Sequence, residues 1–328
     1  MGRLVEGRWT REGYETDEKG GFRREQTTFR DRVTADGSSG FPAVAGRYHL
    51  YVSLACPWAH RTLILRKLKG LEDAISVSVV DPVMGEDGWF FSDHPGSTPD
   101  HVNGARFLHE VYRKARPDMT GRVTVPVLWD KERGTIVNNE SREIARMLDV
   151  EFDAVARNRV TLYPAPLRPE IDRAIDEMYE AVNNGVYRAG FAFTQAAYDE
   201  AVRGVFEALE RYERILEKQR FLCGDLLTEA DVFLFTTLFR FDPVYYVHFK
   251  CNVRRIADYP ALSGFLRDVY QTDGVRETCN LEHVKVHYYR SHPFLNPRGL
   301  VPRGPAFDLD APHDRARFGG GLAPLDAD

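Results

Sequence analysis

Apolar and polar positions divide the chain into two regions with different periodicities. The first region alternates short apolar runs, rich in β-branched and aromatic residues, with segments of helical spacing. The strands that these runs predict are 48–54, 75–80, 124–129 and 135–137. The helices predicted between and after them are 58–68, 106–114 and 139–148. This alternation predicts an α/β fold for the first region.

From about residue 166 onward, the spacing of apolar residues is helical only. The predicted helices are 172–182, 198–219, 228–241 and 262–271. Thr228 and Asp231 stand three residues apart before an apolar run, which is typical of a capping box. Pro164 and Pro166 mark the linker, so the second region is predicted to be an all-α domain.

Polar segments flank these two regions. Residues 1–45 are polar and rich in glycine, and we predict an irregular extension there rather than a domain. Residues 291–328 are rich in proline, glycine and aspartate, which predicts a C-terminal coil tail. Between them we place the α/β domain at 46–160 and the helical domain at 166–290.

Composition argues against several classes of function. The 328 residues carry a formal net charge of -5, so nucleic acid is not an expected partner. No apolar run is long enough for a membrane span, and the charged N-terminus lacks the apolar core of a signal peptide. Because the four cysteines and ten histidines show no metal-ligand spacing, we expect no metal. Because no secretion signal is recognised, we expect a reduced, cytoplasmic setting.

One cysteine stands between the first predicted strand and the helix that follows it. Pro57 comes directly after Cys56 and suits the first helical position, where its missing N–H costs nothing. A helix N-terminus stabilises an anion, which lowers the pKa of a thiol placed there. We therefore predict that Cys56 is a nucleophile at the carboxyl edge of the sheet. His60, one turn later, is predicted to be a surface histidine.

The third residue after Cys56 decides which thiol chemistry is available. A dithiol oxidoreductase would have a second cysteine there, whereas this chain has Ala59. A mixed disulfide on Cys56 therefore needs an external thiol to resolve it. The alternative is that Cys56 is a small buried apolar residue, which is the structural role we predict for Cys223, Cys251 and Cys279.

Seven motifs of the chain are distinctive. They are CPWA at 56–59, DGW at 87–89, TVPVL at 124–128, NNES at 138–141, NNGVYRAGFA at 183–192, RFDPVY at 240–245 and HYY at 287–289. They resemble the motifs of the glutathionyl-hydroquinone reductases, also called Xi-class glutathione transferases. The resemblance extends over nearly the whole chain, from about residue 21 to residue 305.

This resemblance implies the glutathione transferase fold, with a thioredoxin-like N-terminal domain, an all-α C-terminal domain and a homodimer. It also implies a reaction in which a glutathionyl-hydroquinone and glutathione, the co-substrate, give the hydroquinone and glutathione disulfide. Cys56 would become a mixed disulfide with glutathione, and a second glutathione would release it. The external thiol that Ala59 makes necessary is thus available.

The resemblance also implies a set of glutathione-binding residues. Val125 precedes a proline that we expect to be cis, so that its backbone groups can pair with the cysteinyl part of glutathione. Glu140 and Ser141 open a helix and would bind the γ-glutamyl end. Trp89 would cover the tripeptide, and Arg122 would pair with the glycyl carboxylate. The alternatives are an ordinary trans proline, a simple capping pair, a core tryptophan and a surface arginine.

Tyr187, Tyr245 and Tyr288 match the tyrosines of the family's hydroquinone site. Each offers a ring to stack on the substrate and a hydroxyl to bond its phenolic oxygens. One of them would supply the proton for the ring carbon. The alternatives are that these tyrosines fill the helical core, or that the adjacent Tyr246 and Tyr289 take their places.

Two other functions remain open at this point. An omega-like glutathione-dependent dehydroascorbate or disulfide reductase would use the same Cys56 with a different pocket. A binding module with the glutathione transferase fold would retain glutathione without turnover. The three tyrosines argue against the first, and the presence of Cys56, Glu140 and Ser141 argues against the second.

Overall fold

The computed structural model describes residues 2–306 and 308–325 of the chain. Its strands, in chain order, are β1 Arg3–Val5, β2 Arg8–Thr10, β3 Tyr48–Val52, β4 Ile75–Val79, β5 Gly121–Arg122, β6 Val127–Asp130, β7 Thr135–Asn138, β8 Val160–Thr161, β9 Leu226–Leu227 and β10 Gly321–Pro324. Every strand predicted from the sequence is present, within a few residues of its expected bounds.

The α-helices extend the predicted set. They are α1 Pro57–Leu68, α2 Leu108–Ala115, α3 Ser141–Val150, α4 Arg168–Met178, α5 Gly185–Gly190, α6 Gln195–Leu216, α7 Glu229–Arg240, α8 Pro260–Gln271 and α9 Leu281–Ser291. Sequence analysis missed α5 and α9. Among the described residues, none of the helices combines the length and apolar character that crossing a membrane requires.

The chain forms two units, each assembled from three segments. The first contains the described residues up to Tyr14, Arg24–Arg159 and Thr278–Val301. The second contains Glu15–Arg23, Val160–Glu277 and the described residues from Pro302 onward. The division differs from the sequence-based boundaries at α9, which we had assigned to the helical domain and which belongs to the first unit.

A four-stranded mixed sheet of order β4-β3-β6-β7 forms the centre of the first unit. β3 is parallel to β4 and antiparallel to β6, and α1 makes the connection between the two parallel strands. All five residues of β3 are buried, which agrees with its mainly apolar and aromatic composition, and His49 is the one polar residue among them. In this βαβ unit, the N-terminus of α1 follows the carboxyl end of β3.

The N-terminal extension contains regular structure that was not predicted. β1 and β2 form a hairpin, and β1 also pairs with β5, so a second sheet of order β2-β1-β5 is present. The turn requires glycine at Gly7, whose φ is 72° and where a Cβ would lie 1.9 Å from the Pro117 carbonyl oxygen. Three-residue strands carry too little pattern to be recognised from the sequence alone.

The second unit is built from α4 to α8, with α7 buried along its whole length. The predicted capping box is confirmed, because Asp231 accepts hydrogen bonds from the backbone N–H and the hydroxyl of Thr228, both at 2.8 Å. Two π-helical segments, Tyr179–Asn183 and Phe241–Tyr245, interrupt the helices, and such segments are frequent at functional sites.

The C-terminal tail is more ordered than a coil. It contains a 3₁₀ turn at Arg315–Phe318, and β10 lies between β8 and β9 in a three-stranded sheet. The pairing is antiparallel with β8 and parallel with β9. The prediction of a coil over 291–328 was therefore wrong for these segments, because their order comes from pairing with distant strands.

Candidate active site

Cys56 occupies the position that the sequence predicted. It is the N-cap of α1 with extended backbone angles, and its side chain is partly exposed. Its sulfur lies 3.6 Å from the carbonyl oxygen of Val125 and makes no capping hydrogen bond to α1. A thiol can donate to this carbonyl, whereas a thiolate cannot, so loss of the proton frees the carbonyl for another donor.

The Val125 carbonyl is part of a cis peptide bond. The Val125–Pro126 bond is cis, as predicted, and it directly precedes β6. Cys56 and Val125 are 69 residues apart in the chain, and the sheet brings them together because β3 and β6 are neighbours. Cys56, the predicted nucleophile, therefore faces the backbone that is predicted to pair with glutathione.

Glu140 and Ser141 form the N-terminus of α3, in the same unit as Cys56. The Glu140 side chain accepts a hydrogen bond from the backbone N–H of Arg142 at 3.3 Å and one from the hydroxyl of Thr27 at 3.4 Å. Glu140 is thus a capping residue, the alternative that the sequence left open. An α-amino acid group carries an ammonium, which a carboxylate attracts, and a carboxylate, which a helix N-terminus attracts. Glu140 and the N-terminus of α3 together suit such a group.

Arg61 connects the N-termini of α1 and α3 and was missed by sequence analysis. Its buried guanidinium donates to the Ser141 hydroxyl at 3.2 Å and lies 4.4 Å from the centre of the Trp58 ring. The signal was present in the sequence, because Arg61 shares a helical spacing with the buried Leu65 and Leu68. A charged residue at such a position indicates a partner inside the fold.

Arg122, the predicted ligand of the glycyl carboxylate, is held by the N-terminal segment. Its Nε donates to the Glu25 carboxylate at 2.9 Å, and one Nη donates to the Glu12 carbonyl at 2.8 Å. The other Nη donates to the Gly13 carbonyl. The side chain is mostly buried, so the alternative of a solvated surface arginine does not describe it.

Trp89 is buried in the first unit. Its ring stacks on that of His287 in α9, with centroids 4.9 Å apart. Two histidines of α9 form hydrogen bonds to the 81–107 loop. His283 contacts the Pro95 carbonyl oxygen at 2.7 Å, and His287 contacts the Pro82 carbonyl oxygen at 2.9 Å. Ser291 accepts a hydrogen bond from the Met84 backbone N–H.

The three predicted tyrosines fall into different units. Tyr288 lies in α9 of the first unit and is buried, with its ring 5.1 Å from that of His287. Tyr187 and Tyr245 belong to the second unit, where their ring centroids are 5.9 Å apart. Tyr187 is in α5, and Tyr245 ends the π-helical segment after α7. Their assignment to one hydroquinone site stays a prediction.

Two of the other cysteines, Cys223 and Cys251, are buried, whereas Cys279 is partly exposed like Cys56. Burial raises the pKa of the Cys223 thiol to about 12 and also raises that of Cys251, which agrees with the structural role predicted for both. Cys279 is partly exposed, and its sulfur lies 3.8 Å from the His60 ring nitrogen. His60 itself is buried, which corrects the prediction of a surface histidine. The described residues contain no cluster of metal-binding side chains.

Comparisons with known proteins agree with this architecture. The family model "Glutathione S-transferase, N-terminal domain" matches residues 55–151, and "Glutathione S-transferase, C-terminal domain" matches residues 195–268. Cys56, Trp89, Arg122, Val125, Glu140 and Ser141 all lie within the first match. The second match covers α6, α7 and most of α8 in the helical unit.

Full-length relatives narrow the family. Glutathionyl-hydroquinone reductase YqjG of Escherichia coli is 55% identical over 97% of this chain and 100% of its own length. Glutathionyl-hydroquinone reductase PcpF of Sphingobium chlorophenolicum is 52% identical, with 94% of this chain and 98% of its own covered.

Solved structures give the same result. A Xi class glutathione transferase from Natrialba magadii has a TM-score of 0.93 and 53% identity, covering 98% of both chains. The glutathione-bound structure of YqjG has a TM-score of 0.89 and 53% identity, covering 96% of this chain and 99% of its own. The chain therefore belongs to the glutathionyl-hydroquinone reductase family, the Xi class of glutathione transferases.

Proposed function

We propose that this protein reduces S-glutathionyl-hydroquinones to hydroquinones, with glutathione as co-substrate and glutathione disulfide as second product. The observation that carries the proposal is the position of Cys56 at the start of α1, against the Val125 carbonyl and without a second cysteine in its turn. The relatives named above support the substrate class, and the glutathione-bound relative supports the co-substrate.

In the first half-reaction, the thiolate of Cys56 attacks the sulfur of the conjugate. A sulfur–sulfur bond forms as the bond between that sulfur and the ring carbon breaks, and its electron pair leaves with the ring. Protonation of the ring carbon gives the hydroquinone. The ring carbon is thereby reduced, and the Cys56 sulfur is oxidised to a mixed disulfide with glutathione.

In the second half-reaction, the thiolate of another glutathione attacks the glutathione sulfur of the mixed disulfide. Glutathione disulfide leaves, and Cys56 is released as a thiolate. Rates of such exchange depend on the thiolate fraction of the attacking group and on the acidity of the leaving thiol. Because the residue three positions after Cys56 is Ala59, resolution by the protein's own turn does not compete.

The remaining side chains would position the two substrates. We assign the backbone of Val125 to the cysteinyl part of glutathione, Glu140 and Ser141 to its γ-glutamyl end, and Trp89 to the wall along it. Tyr187, Tyr245 and Tyr288 are assigned to the hydroquinone, with the proton donor among them left open. The homodimer, the cytoplasmic setting and the lack of a resident metal stay predictions.

The proposal is tested by chromatography of a glutathionyl-hydroquinone incubated with excess glutathione. We expect the wild type to release hydroquinone and glutathione disulfide in equal amounts, and Cys56→Ser to lose at least about a thousandfold of kcat/KM, because no thiolate remains to attack. Cys279→Ser removes another partly exposed thiol of the same unit and serves as the matched control.

The same experiment separates the alternatives. An omega-like reductase would instead turn over dehydroascorbate or a small disulfide, and would leave the conjugate intact. A binding module would be retained on immobilised glutathione and would turn over none of these compounds. Unchanged activity in Cys56→Ser would contradict the role of the nucleophile itself.

A further inference from the structure

The first unit contains a second partly exposed thiol besides Cys56, and this thiol, Cys279, lies beside a histidine. Its sulfur is 3.8 Å from Nε2 of His60, although the two residues are 219 positions apart in the chain. Cys251 offers a contrast, because it is buried and its sulfur lies 4.0 Å from the Phe249 carbonyl oxygen. An imidazole nitrogen can take a proton from a thiol, whereas a peptide carbonyl cannot. The surroundings of Cys279 therefore differ from those of a structural cysteine, which is the role that the sequence predicted.

The histidine is held by α1 and by a hydroxyl next to Cys279. His60 lies in the first turn of α1 and is buried, and its Nε2 is 2.9 Å from the hydroxyl oxygen of Thr278. A hydroxyl is both a donor and an acceptor, so Thr278 can stay bonded to this nitrogen before and after the ring gains a proton. The imidazole is thus held beside the thiol by a partner that suits both of its charge states.

A thiol, a base and access for the reagent are what thiol–disulfide exchange requires. The attacking group is the thiolate, and a thiol without a partner is mostly protonated at neutral pH. Here His60 is the base, and the partial exposure of Cys279 gives a small disulfide access to the sulfur. Glutathione disulfide is such a molecule, and the reaction proposed above would release it at this protein.

We propose that Cys279 is a site of reversible glutathionylation, with His60 as the base that takes its proton. The Cys279 sulfur attacks one sulfur of glutathione disulfide, whose sulfur–sulfur bond breaks as the new one forms. Cys279 is oxidised to a mixed disulfide, the leaving glutathione is reduced, and the proton on His60 passes to its thiolate. Attack by another glutathione on the mixed disulfide reverses the step. The reactivity of Cys279 stands without the reductase function, and only the supply of disulfide by the protein's own turnover rests on it.

The test incubates the wild type and His60→Gln with glutathione disulfide at neutral pH, without glutathione or a conjugate. Samples are quenched with acid over time and digested without reductant, and mass spectrometry measures the glutathionylated fraction of the Cys279 peptide separately from that of Cys56. We expect the wild type to be modified at Cys279, and excess glutathione to remove the group. In His60→Gln the rate at Cys279 should fall about tenfold, because a thiol without a base is mostly protonated at neutral pH.

His49→Gln is the matched control. It removes another buried histidine of the same unit, one whose Nδ1 lies 2.7 Å from the Ser76 hydroxyl oxygen, and it should leave the rate at Cys279 unchanged. The wild type in urea gives a measurement that needs no variant. Unfolding separates Cys279 from His60, so the rate at Cys279 should fall, whereas the rate at the buried Cys251 should rise as this thiol becomes exposed.

Three results would overturn the inference. They are a Cys279 that stays unmodified in the folded wild type, a rate in His60→Gln equal to that of the wild type, and a rate at Cys279 that rises on unfolding. Each of them counts whether or not the protein is a reductase. Modification of Cys279 with the expected dependence on His60, in a protein that reduces no conjugate, supports the inference and contradicts only the proposed function.

Discussion

Two arginines, one in each unit, connect the terminal segments to the rest of the fold by donating hydrogen bonds to backbone carbonyls. They differ in which part of the molecule the bonds support. Arg122 in the first unit donates to the carbonyls of Glu12 and Gly13 in the N-terminal arm, a name used here for residues 12–14 and 24–25. Arg315 in the second unit donates to the Leu216 carbonyl and to two more carbonyls that follow the end of α6. An arginine fork suits such sets of carbonyls because its five N–H groups lie in one plane.

The difference lies in what each arginine orders. Arg122 is a residue of β5, and the segment that it holds is the N-terminal arm. Arg315 is part of the tail, and it closes the open C-terminal end of α6, where unpaired carbonyls need donors. We infer that the first contact serves the active site and the second serves stability, so substitutions of the two arginines should change different measurements.

The largest effect is expected for Arg315→Met. The side chain is buried, and its loss leaves the carbonyls of Leu216, Gln219 and Arg220 without their donor. We expect the free energy of unfolding to fall by about 3 kcal/mol in urea denaturation, since hydrogen bonds from charged groups are worth about 1.5–3 kcal/mol. Activity per folded molecule should stay at the wild-type level.

Arg315→Lys is the conservative control for this prediction. A lysine keeps the charge but cannot reach three carbonyls with a planar fork, so we expect it to restore only part of the stability. If Arg315→Met unfolds at the same urea concentration as the wild type, the tail is not a stabilising element and the comparison of the two arginines fails.

The second prediction concerns Arg122→Met, which should act on the reaction more than on stability. We expect kcat/KM to fall about tenfold or more, because the change removes both the anchor of the arm and the predicted partner of the glycyl carboxylate. The stability loss should be only about 1 kcal/mol, because the carbonyls of the arm are exposed to water.

Glu25→Gln separates the two roles considered for Arg122. It weakens the anchoring of the arm and leaves the guanidinium in place for a glycyl carboxylate. If Arg122 acts through the arm, Glu25→Gln lowers kcat. If Arg122 only binds the carboxylate, Glu25→Gln leaves kcat unchanged, and Arg122→Met raises the KM for glutathione instead.

The smallest effect is expected in the pH dependence of unfolding stability, through His313 in the C-terminal tail. Burial lowers the pKa of His313, with Arg220, Arg267 and Arg315 acting in the same direction and Asp268 against it. Below a pH of about 6.5 the unfolded chain binds this proton more readily than the folded one, so stability falls as the pH decreases. Urea midpoints at about pH 7.5 and about pH 5 should differ less in His313→Gln than in the wild type. Equal differences in the two proteins would remove His313 from the tail's contribution to stability.

Local patterns were sufficient for much of the fold and for part of the site. The strands of the central sheet have apolar runs of their own, and α1 begins at a proline after Cys56. The capping box of α7 needs only residues three apart. The cis bond before Pro126 was expected only from the resemblance to a family.

α9 shows where local pattern failed. Its buried face carries His283, His287 and Ser291, spaced four residues apart, and these side chains are buried through hydrogen bonds to the 81–107 loop. The spacing of apolar residues does not reveal a helix whose buried face is polar, because burial is normally inferred from apolar residues. The helix was therefore missed, and the structure groups it with the first unit rather than with the helical one.

By itself, the sequence determined the two-region architecture and the position of Cys56 at the start of α1, and it predicted a nucleophile that needs an external thiol, because each depends on residues close together in the chain. Only the tertiary structure decided that Val125 faces Cys56, that Arg122 holds the arm, and that the tail forms a strand. These contacts join residues from about 70 to more than 150 positions apart. No local periodicity encodes them, since they form only when the packed sheet and helices bring distant backbone donors and acceptors together.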